Sequence, residues 1–265
     1  MIEHLVTSGC SFSDNHGIRW PHALASALKV KLYNRGQGSC GNDWISKTAI
    51  YQTQLLLDQG VSPETILVAV MWSGIDRKSL FISANETSQF KNLLNFDGHP
   101  NPVQFIGADP NQDVPMSMYS GYMVGSMNCN FENSAITRFK EECILKFFPD
   151  EALAIESYEH FLRLQWYCKS VGVKLVNHTF MNIMHYPHRG NPNHPLTIES
   201  YKTIQPLHNM IDFSNWVFWK KGDGLYEYTQ DHELPFYHDG LHPRPEAHEY
   251  YVNNFLMPEL KKYIQ

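Results

Sequence analysis

The chain has 265 residues, 43% of them hydrophobic and 18% charged, with a formal net charge of −6. That composition is ordinary for a globular protein at the upper edge of single-domain length, and it is long enough to bury a sizeable core. The acidic balance argues against non-specific nucleic-acid binding, which needs an excess of Lys and Arg to displace counterions. No apolar run approaches the ~20 residues of a membrane-spanning helix, so no membrane partner is expected. The first residues lack a basic-then-apolar leader pattern. Cys10, Cys40, Cys129, Cys143 and Cys168 are odd in number and scattered, which reads as free thiols in a reducing compartment and points to the cytoplasm. No CxxC pair is present, so a zinc knuckle is not expected and no cofactor is implied.

In chain order, residues 4–8 read as a short buried strand around Leu5 and Val6, running into Gly9-Cys10-Ser11-Phe12-Ser13. Residues 18–29 place Trp20, Leu24, Ala27 and Leu28 at helical spacing, with Pro21 tolerable in a first turn. Residues 30–34 alternate as a second strand and end in the glycine-rich stretch 35–42. Asn42 or Asp43 can cap the next helix, which presents Trp44, Ile45, Thr48, Tyr51, Leu55 and Leu56 along one side and stops at Gly60. Residues 65–72 are near-continuously apolar and β-branched, as in a strand buried on both faces of a parallel sheet. A helix over 151–170, a strand over 173–180 and a helix over 245–263 complete the pattern. Strand and helix in alternation predict a mostly parallel sheet covered by helices on both faces. Residues 77–148 and 181–237 fit no such unit, the second with a short helical patch over 198–211. Both read as insertions at the C-terminal edge of the strands, within one domain spanning 1–265.

Two polar clusters at opposite ends of the chain carry the chemistry. Ser11 follows the first strand on a tight turn, while Asp239 and His242 stand three residues apart just before the last helix. A serine hydroxyl is a poor nucleophile until a base takes its proton; a neutral imidazole is such a base, and a carboxylate can hold it in the useful tautomer. Ser11, His242 and Asp239 are therefore the candidate nucleophile, base and orienting group.

Gly9-Cys10-Ser11-Phe12-Ser13 and Asp239-Gly240-Leu241-His242-Pro243 together resemble the first and last sequence blocks of the SGNH (GDSL-type) hydrolases. The resemblance implies a flavodoxin-like three-layer α/β/α fold and hydrolysis of carboxylic esters, with acetyl esters of carbohydrates as a narrower class. It also implies a small-molecule or carbohydrate ester as the substrate, and leaves the oligomeric state open. The family's second block supplies a backbone N–H to the oxyanion after a strand ending in Asn. Asn34-Arg35-Gly36-Gln37-Gly38-Ser39 occupies that place, with Gly38 or Ser39 as the donor beside the Ser11 amide. The third block is usually Gly-x-Asn-Asp; here it reads Ser73-Gly74-Ile75-Asp76, so either Asn42 or another backbone amide stands in for the missing side chain, or the oxyanion hole is weakened. The TSGCSFS and WSGIDR forms look like a divergent branch seen among phage and environmental sequences, which includes a virus-encoded origin among the expectations.

Each motif also has a plainer explanation. Ser11 could cap a helix, and Asp-Gly is a common turn. Cys10 is a second potential nucleophile, though a buried structural thiol is the commoner role. His178, His185, His188 and His194 could gather a metal but share no clean helical face. Trp72, Asp76 and Arg77, at the end of the third strand, are candidate pocket residues, with Asp76 and Arg77 also able to form a shaping ion pair. Trp216, Phe218, Trp219, Tyr226, Tyr228, Phe236 and Tyr237 could stack on sugar rings, although core packing explains any one of them as well. The competing class to an esterase is a non-catalytic binding or virion-associated protein that keeps the fold.

Overall fold

A computed structural model describes residues 1–15, 17–38, 40–75, 77–81, 104–106, 122–126, 150–184 and 202–264. Its centre is a four-stranded parallel sheet in the order β2-β1-β3-β7, formed by β1 (His4–Gly9), β2 (Lys31–Asn34), β3 (Ile66–Trp72) and β7 (Lys174–Thr179). The register sets Leu5 opposite Leu32 on one side and Leu67 on the other. β3 is buried along its whole length, as its unbroken apolar run requires of an interior strand. Helices α2 (Asn42–Asp58) and α3 (Asp150–Val171) pack together, with α2 against β1 and β3. On the opposite side α1 (Trp20–Leu28) packs against the C-terminal helical run. The fold is thus the three-layer α/β/α arrangement with a flavodoxin-like strand order, as expected.

That order decides where a site can lie. The chain leaves β1 to build β2 on one side, then crosses to build β3 on the other, so the crevice beyond the carboxyl ends of β1 and β3 is the topological switch point. Ser11 is two residues past β1 and stands at that crevice.

Several boundaries differ from the sequence reading. The helix expected over 245–263 is three pieces: α6 (Pro245–Tyr251), a π-helical turn (Val252–Leu256) and α7 (Met257–Ile264). The patch expected over 198–211 contains only the single turn α4 (Gln205–His208) among the described residues, and the 181–237 region also holds α5 (Leu225–Asp231). The 77–148 region, which shows only weak periodicity, contains three short strands among the described residues. β4 (Arg77–Phe81), β6 (Tyr122–Ser126) and β5 (Gln104–Ile106) pair antiparallel in the order β4-β6-β5. Asn42 and Asp43 do not cap α2: Gly41 is the cap residue, and Asn42 is the first residue of the helix. Among the described residues no helix is long and apolar enough to cross a membrane.

The aromatic residues divide between core and surface. Trp72 is fully buried, donates its indole N–H to Asn177 Oδ1 at 2.9 Å, and packs against Phe161 and Trp216 with ring centres 4.6 and 6.4 Å away. It belongs to the core and is not a pocket residue, a correction that follows from its side chain pointing into the packed layer. Trp216 and Tyr228 are likewise core residues. Phe218 stacks on Trp216, Trp219 meets Tyr228 edge-on, and Tyr226 packs on Phe236, so these rings pack on one another.

Two buried histidines tie the fold to pH. His178 on β7 sits edge-on to Trp20 and shares a 3.2 Å hydrogen bond with the Tyr251 hydroxyl; burial pushes its pKa down to about 3. His248 on α6 accepts the Trp20 backbone N–H at 3.2 Å. Burial first, then the charges of Arg19 and His242, lower it to about 3 as well. Both values lie below the ordinary 6.5, so on acidification the unfolded chain takes up these protons first. The stability contributed by the neutral rings is complete above about pH 6.5 and is lost as the pH falls towards about 3. Each histidine is expected to cost ~1.4 kcal/mol of unfolding free energy per pH unit within that window. Urea unfolding at a series of pH values checks this, and His178→Gln should remove one histidine's share of the slope.

Candidate active site

The turn that carries Ser11 is built by close approach. A Cβ on Gly9 would lie 2.1 Å from Ser13 Oγ and 3.0 Å from the Met71 carbonyl oxygen, so only glycine fits where β1 ends. Ser13 N–H donates to the Cys10 carbonyl at 2.8 Å, closing a tight turn around Ser11. Ser13 Oγ accepts the Trp20 indole N–H at 2.7 Å, which pins the turn to α1. Asn34, at the end of β2, saturates its amide on the same turn. Its Oδ1 accepts from the Thr7 hydroxyl and the Gly36 N–H, both at 2.9 Å. Its Nδ2 donates to the Ser13 carbonyl at 2.7 Å and to Asn15 Oδ1 at 2.9 Å. A Cβ on Gly36 would meet the Ser13 carbonyl oxygen at 2.2 Å. Gly36→Ala is therefore expected to destabilise the fold by about 1–3 kcal/mol through overpacking, and to slow any reaction at Ser11 because the displaced group is two residues away. Urea midpoints and ester-hydrolysis rates measured together test it.

The second cluster lies on the loop between α5 and α6. Asp239 Oδ1 accepts the backbone N–H groups of Leu241 at 2.9 Å and His242 at 3.0 Å, and the intervening Gly240 takes the left-handed conformation at φ +66°. This turn leaves Asp239 Oδ2 facing the imidazole, 2.6 Å from His242 Nδ1. His242 Nε2 then lies 2.8 Å from Ser11 Oγ. The fold thus brings together, from residues 231 positions apart, a hydroxyl, an imidazole and a carboxylate in a continuous hydrogen-bonded line. Partial burial works against ionisation of Asp239, but the His242 backbone N–H, the His242 ring and the Leu241 N–H outweigh it and hold its pKa at about 2. The carboxylate therefore stays charged through the whole mildly acid range. The His242 ring packs 5.3 Å from the fully buried Phe12 ring, which in turn meets Phe180 edge-on at 5.2 Å.

The glycine-rich stretch after β2 lies against the end of β1. Gln37 N–H and Cys40 Sγ both donate to the Gly9 carbonyl, at 2.9 and 3.2 Å. Gly38 is buried there, and neither its backbone N–H nor that of Ser11 donates to another group among the described residues. Ser39 and Asp76 lie outside the described residues. Asn42 is not the missing side-chain donor. Its Nδ2 donates to the Ser73 carbonyl and to Ser157 Oγ, both at 3.1 Å, and its Oδ1 accepts the Ser73 N–H at 2.9 Å. An amide held at both ends in this way is a structural bridge between α2, the end of β3 and α3. Arg77 places its guanidinium 5.1 Å from the centre of the Phe180 ring.

Cys10 is fully buried beside Ser11, as a structural thiol is. Among the described residues no group of His, Cys, Asp and Glu is placed to hold a metal ion. His185, His188 and His194 lie outside them, and His178 is packed between Trp20 and Tyr251. Of the aromatic residues proposed for sugar stacking, Tyr237 and Phe236 are on the loop that carries Asp239 and His242: Tyr237 N–H donates to the His242 carbonyl at 2.8 Å, and Phe236 bridges to Pro243. Sequence reasoning missed Asn34 as the organiser of the turn, Ser13 as its anchor, and Arg19, whose side chain reaches the Pro243 carbonyl. The one available signal was the pair of glycines, Gly9 and Gly36, that flank the close approach.

A family profile described as "Family of unknown function (DUF6071)" matches residues 8–113, a stretch that contains Ser11 but neither Asp239 nor His242. No curated protein matches the chain. Among solved structures, one titled "Crystal Structure of TesA" is similar over 98% of this chain and 99% of that chain, at 11% identity and a TM-score of 0.46. At that degree of likeness the architecture rests on this chain's own strand order and register.

Proposed function

We propose that this protein is a serine hydrolase that cleaves carboxylic esters through Ser11, His242 and Asp239. The observation that carries the reading is the unbroken line from Ser11 Oγ to His242 Nε2 at 2.8 Å and from His242 Nδ1 to Asp239 Oδ2 at 2.6 Å, at the switch point of a parallel sheet. Neutral His242 takes the Ser11 proton at Nε2 as Oγ bonds to the ester carbonyl carbon, and Asp239 stabilises the imidazolium that forms. The developing oxyanion meets the backbone N–H groups of Ser11 and Gly38. His242 returns its proton to the departing alcohol, leaving Ser11 acylated. A water molecule, deprotonated by the same imidazole, then bonds to the acyl carbon; the bond to Ser11 Oγ breaks, His242 returns the proton to Oγ, and the acid leaves. Acetyl esters of carbohydrates are the narrower substrate class we propose.

The test is hydrolysis of short-chain aryl acetates and butyrates by the purified chain. Hydrolysis that survives EDTA supports the reading. No hydrolysis by folded protein, or hydrolysis that EDTA abolishes and Ser11→Ala spares, overturns it. A non-catalytic binding role has one observation in its favour: the family's third-block Asn is replaced by Ile75, and Asn42 is held elsewhere. One such donor is worth ~3–4 kcal/mol of transition-state stabilisation, which predicts a slow esterase sooner than an inert one.

A further inference from the structure

We infer that Arg19 is a positioning residue for the triad, clasping the base-bearing loop to the nucleophile turn; this rests on the ester-hydrolase reading. Arg19 immediately precedes α1 and is 8% exposed. Its Nε lies 3.5 Å from Asp14 Oδ1, three residues beyond Ser11, and its Nη1 donates to the Pro243 carbonyl at 3.3 Å, one residue beyond His242. The same guanidinium lies 5.6 Å from the centre of the Tyr237 ring. One buried cation therefore meets the turn that carries the nucleophile and both flanks of the loop that carries the base.

The loop needs such an anchor. Its own hydrogen bonds, from Tyr237 N–H to the His242 carbonyl, from Gly240 N–H to the Tyr237 carbonyl and from Arg244 N–H to the Pro235 carbonyl, close it upon itself and do not place it against β1. Placement comes from Arg19, from the packing of Phe12 on His242, and from the neighbouring Trp20 N–H, which donates to His248 on α6. The bond between Ser11 and His242 joins the tips of two rotatable side chains, so it does not by itself fix the spacing of their backbones. The planar fork of arginine can address a carboxylate and a carbonyl at once, whereas a lysine ammonium on a flexible stem reaches one of them.

Arg19→Lys and Arg19→Ala test the clasp, with hydrogen exchange and ester hydrolysis read in parallel. The expected result is faster exchange at the Tyr237, Gly240 and Arg244 amides while the β3 amides keep their protection. kcat should fall about 10- to 100-fold, the cost of a misplacement of the order of 1 Å, with KM nearly unchanged. Added guanidinium ion at sub-denaturing concentration should restore part of kcat to Arg19→Ala, and methylammonium should not. If Arg19→Ala fails to fold, Arg19→Lys carries the test. Loop amides as protected as in the wild type in every variant that folds, protection lost uniformly across β3 and the loop, or unchanged kcat would overturn the clasp. If the wild type hydrolyses no ester, the hydrolase reading falls alone, because loop exchange still decides whether Arg19 holds the loop.

Discussion

Ser11→Ala is expected to lower ester hydrolysis by roughly 10⁵- to 10⁶-fold, the scale on which removal of the nucleophile acts when the triad works as a unit. The hydroxyl makes its hydrogen bond to His242 and is only partly buried, so its loss leaves no packed cavity. The unfolding free energy should stay within about 0.5 kcal/mol of the wild type. Activity that collapses while stability holds separates a nucleophile from a helix cap, the plainer role for a serine on a strand-to-helix turn. A Ser11→Ala variant that keeps most of its activity would instead point to another group as the attacking atom.

Asp239→Asn carries the second large effect, through the imidazole tautomer. Asp239 Oδ1 accepts two backbone N–H groups, so an asparagine must keep its oxygen there. Its NH2 then takes the position of Oδ2, 2.6 Å from His242 Nδ1. Two donors cannot face each other, so His242 is driven to carry its proton on Nε2, the nitrogen that has to receive one from Ser11. The comparable change in a Ser-His-Asp protease costs about 10⁴-fold in kcat with geometry preserved, and a loss of that order is expected here. Steady-state kinetics should place it in kcat, with the circular dichroism spectrum unchanged. In the wild type the carboxylate is ionised down to about pH 2, so activity lost in mild acid does not report protonation of Asp239.

The architecture was legible wherever one physical cause dominates a stretch of chain. The run from Ile66 to Trp72 has to be an interior parallel strand because no half-exposed strand carries so continuous an apolar sequence. The meeting of Ser11, Asp239 and His242 was legible because each cluster carries its own turn chemistry and the two stand at the ends of a chain whose strand order brings them to one crevice. Asn42 was misjudged because an amide suits a helix cap, an oxyanion donor and a buried bridge equally; only the position of Ser73 and Ser157 decides among them. Trp72 was misjudged for a similar reason, since a tryptophan at a strand end reads the same whether it faces a crevice or Phe161. Arg19 was invisible because its partner carbonyl lies 224 residues away and a carbonyl leaves no trace in side-chain identity. The antiparallel strands within 77–148 escaped because they are short and the segment shows only weak periodicity.

In the proposed mechanism the Ser11 hydroxyl is activated by the His242–Asp239 pair. The most direct measurement is reaction of the folded wild-type chain with a fluorophosphonate, followed by peptide mapping of the adduct by mass spectrometry. A single phosphonylated residue at Ser11, absent from Asp239→Asn over the same time, is the expected result. Folded wild-type protein that remains unmodified, or an adduct located on any other residue, would contradict it.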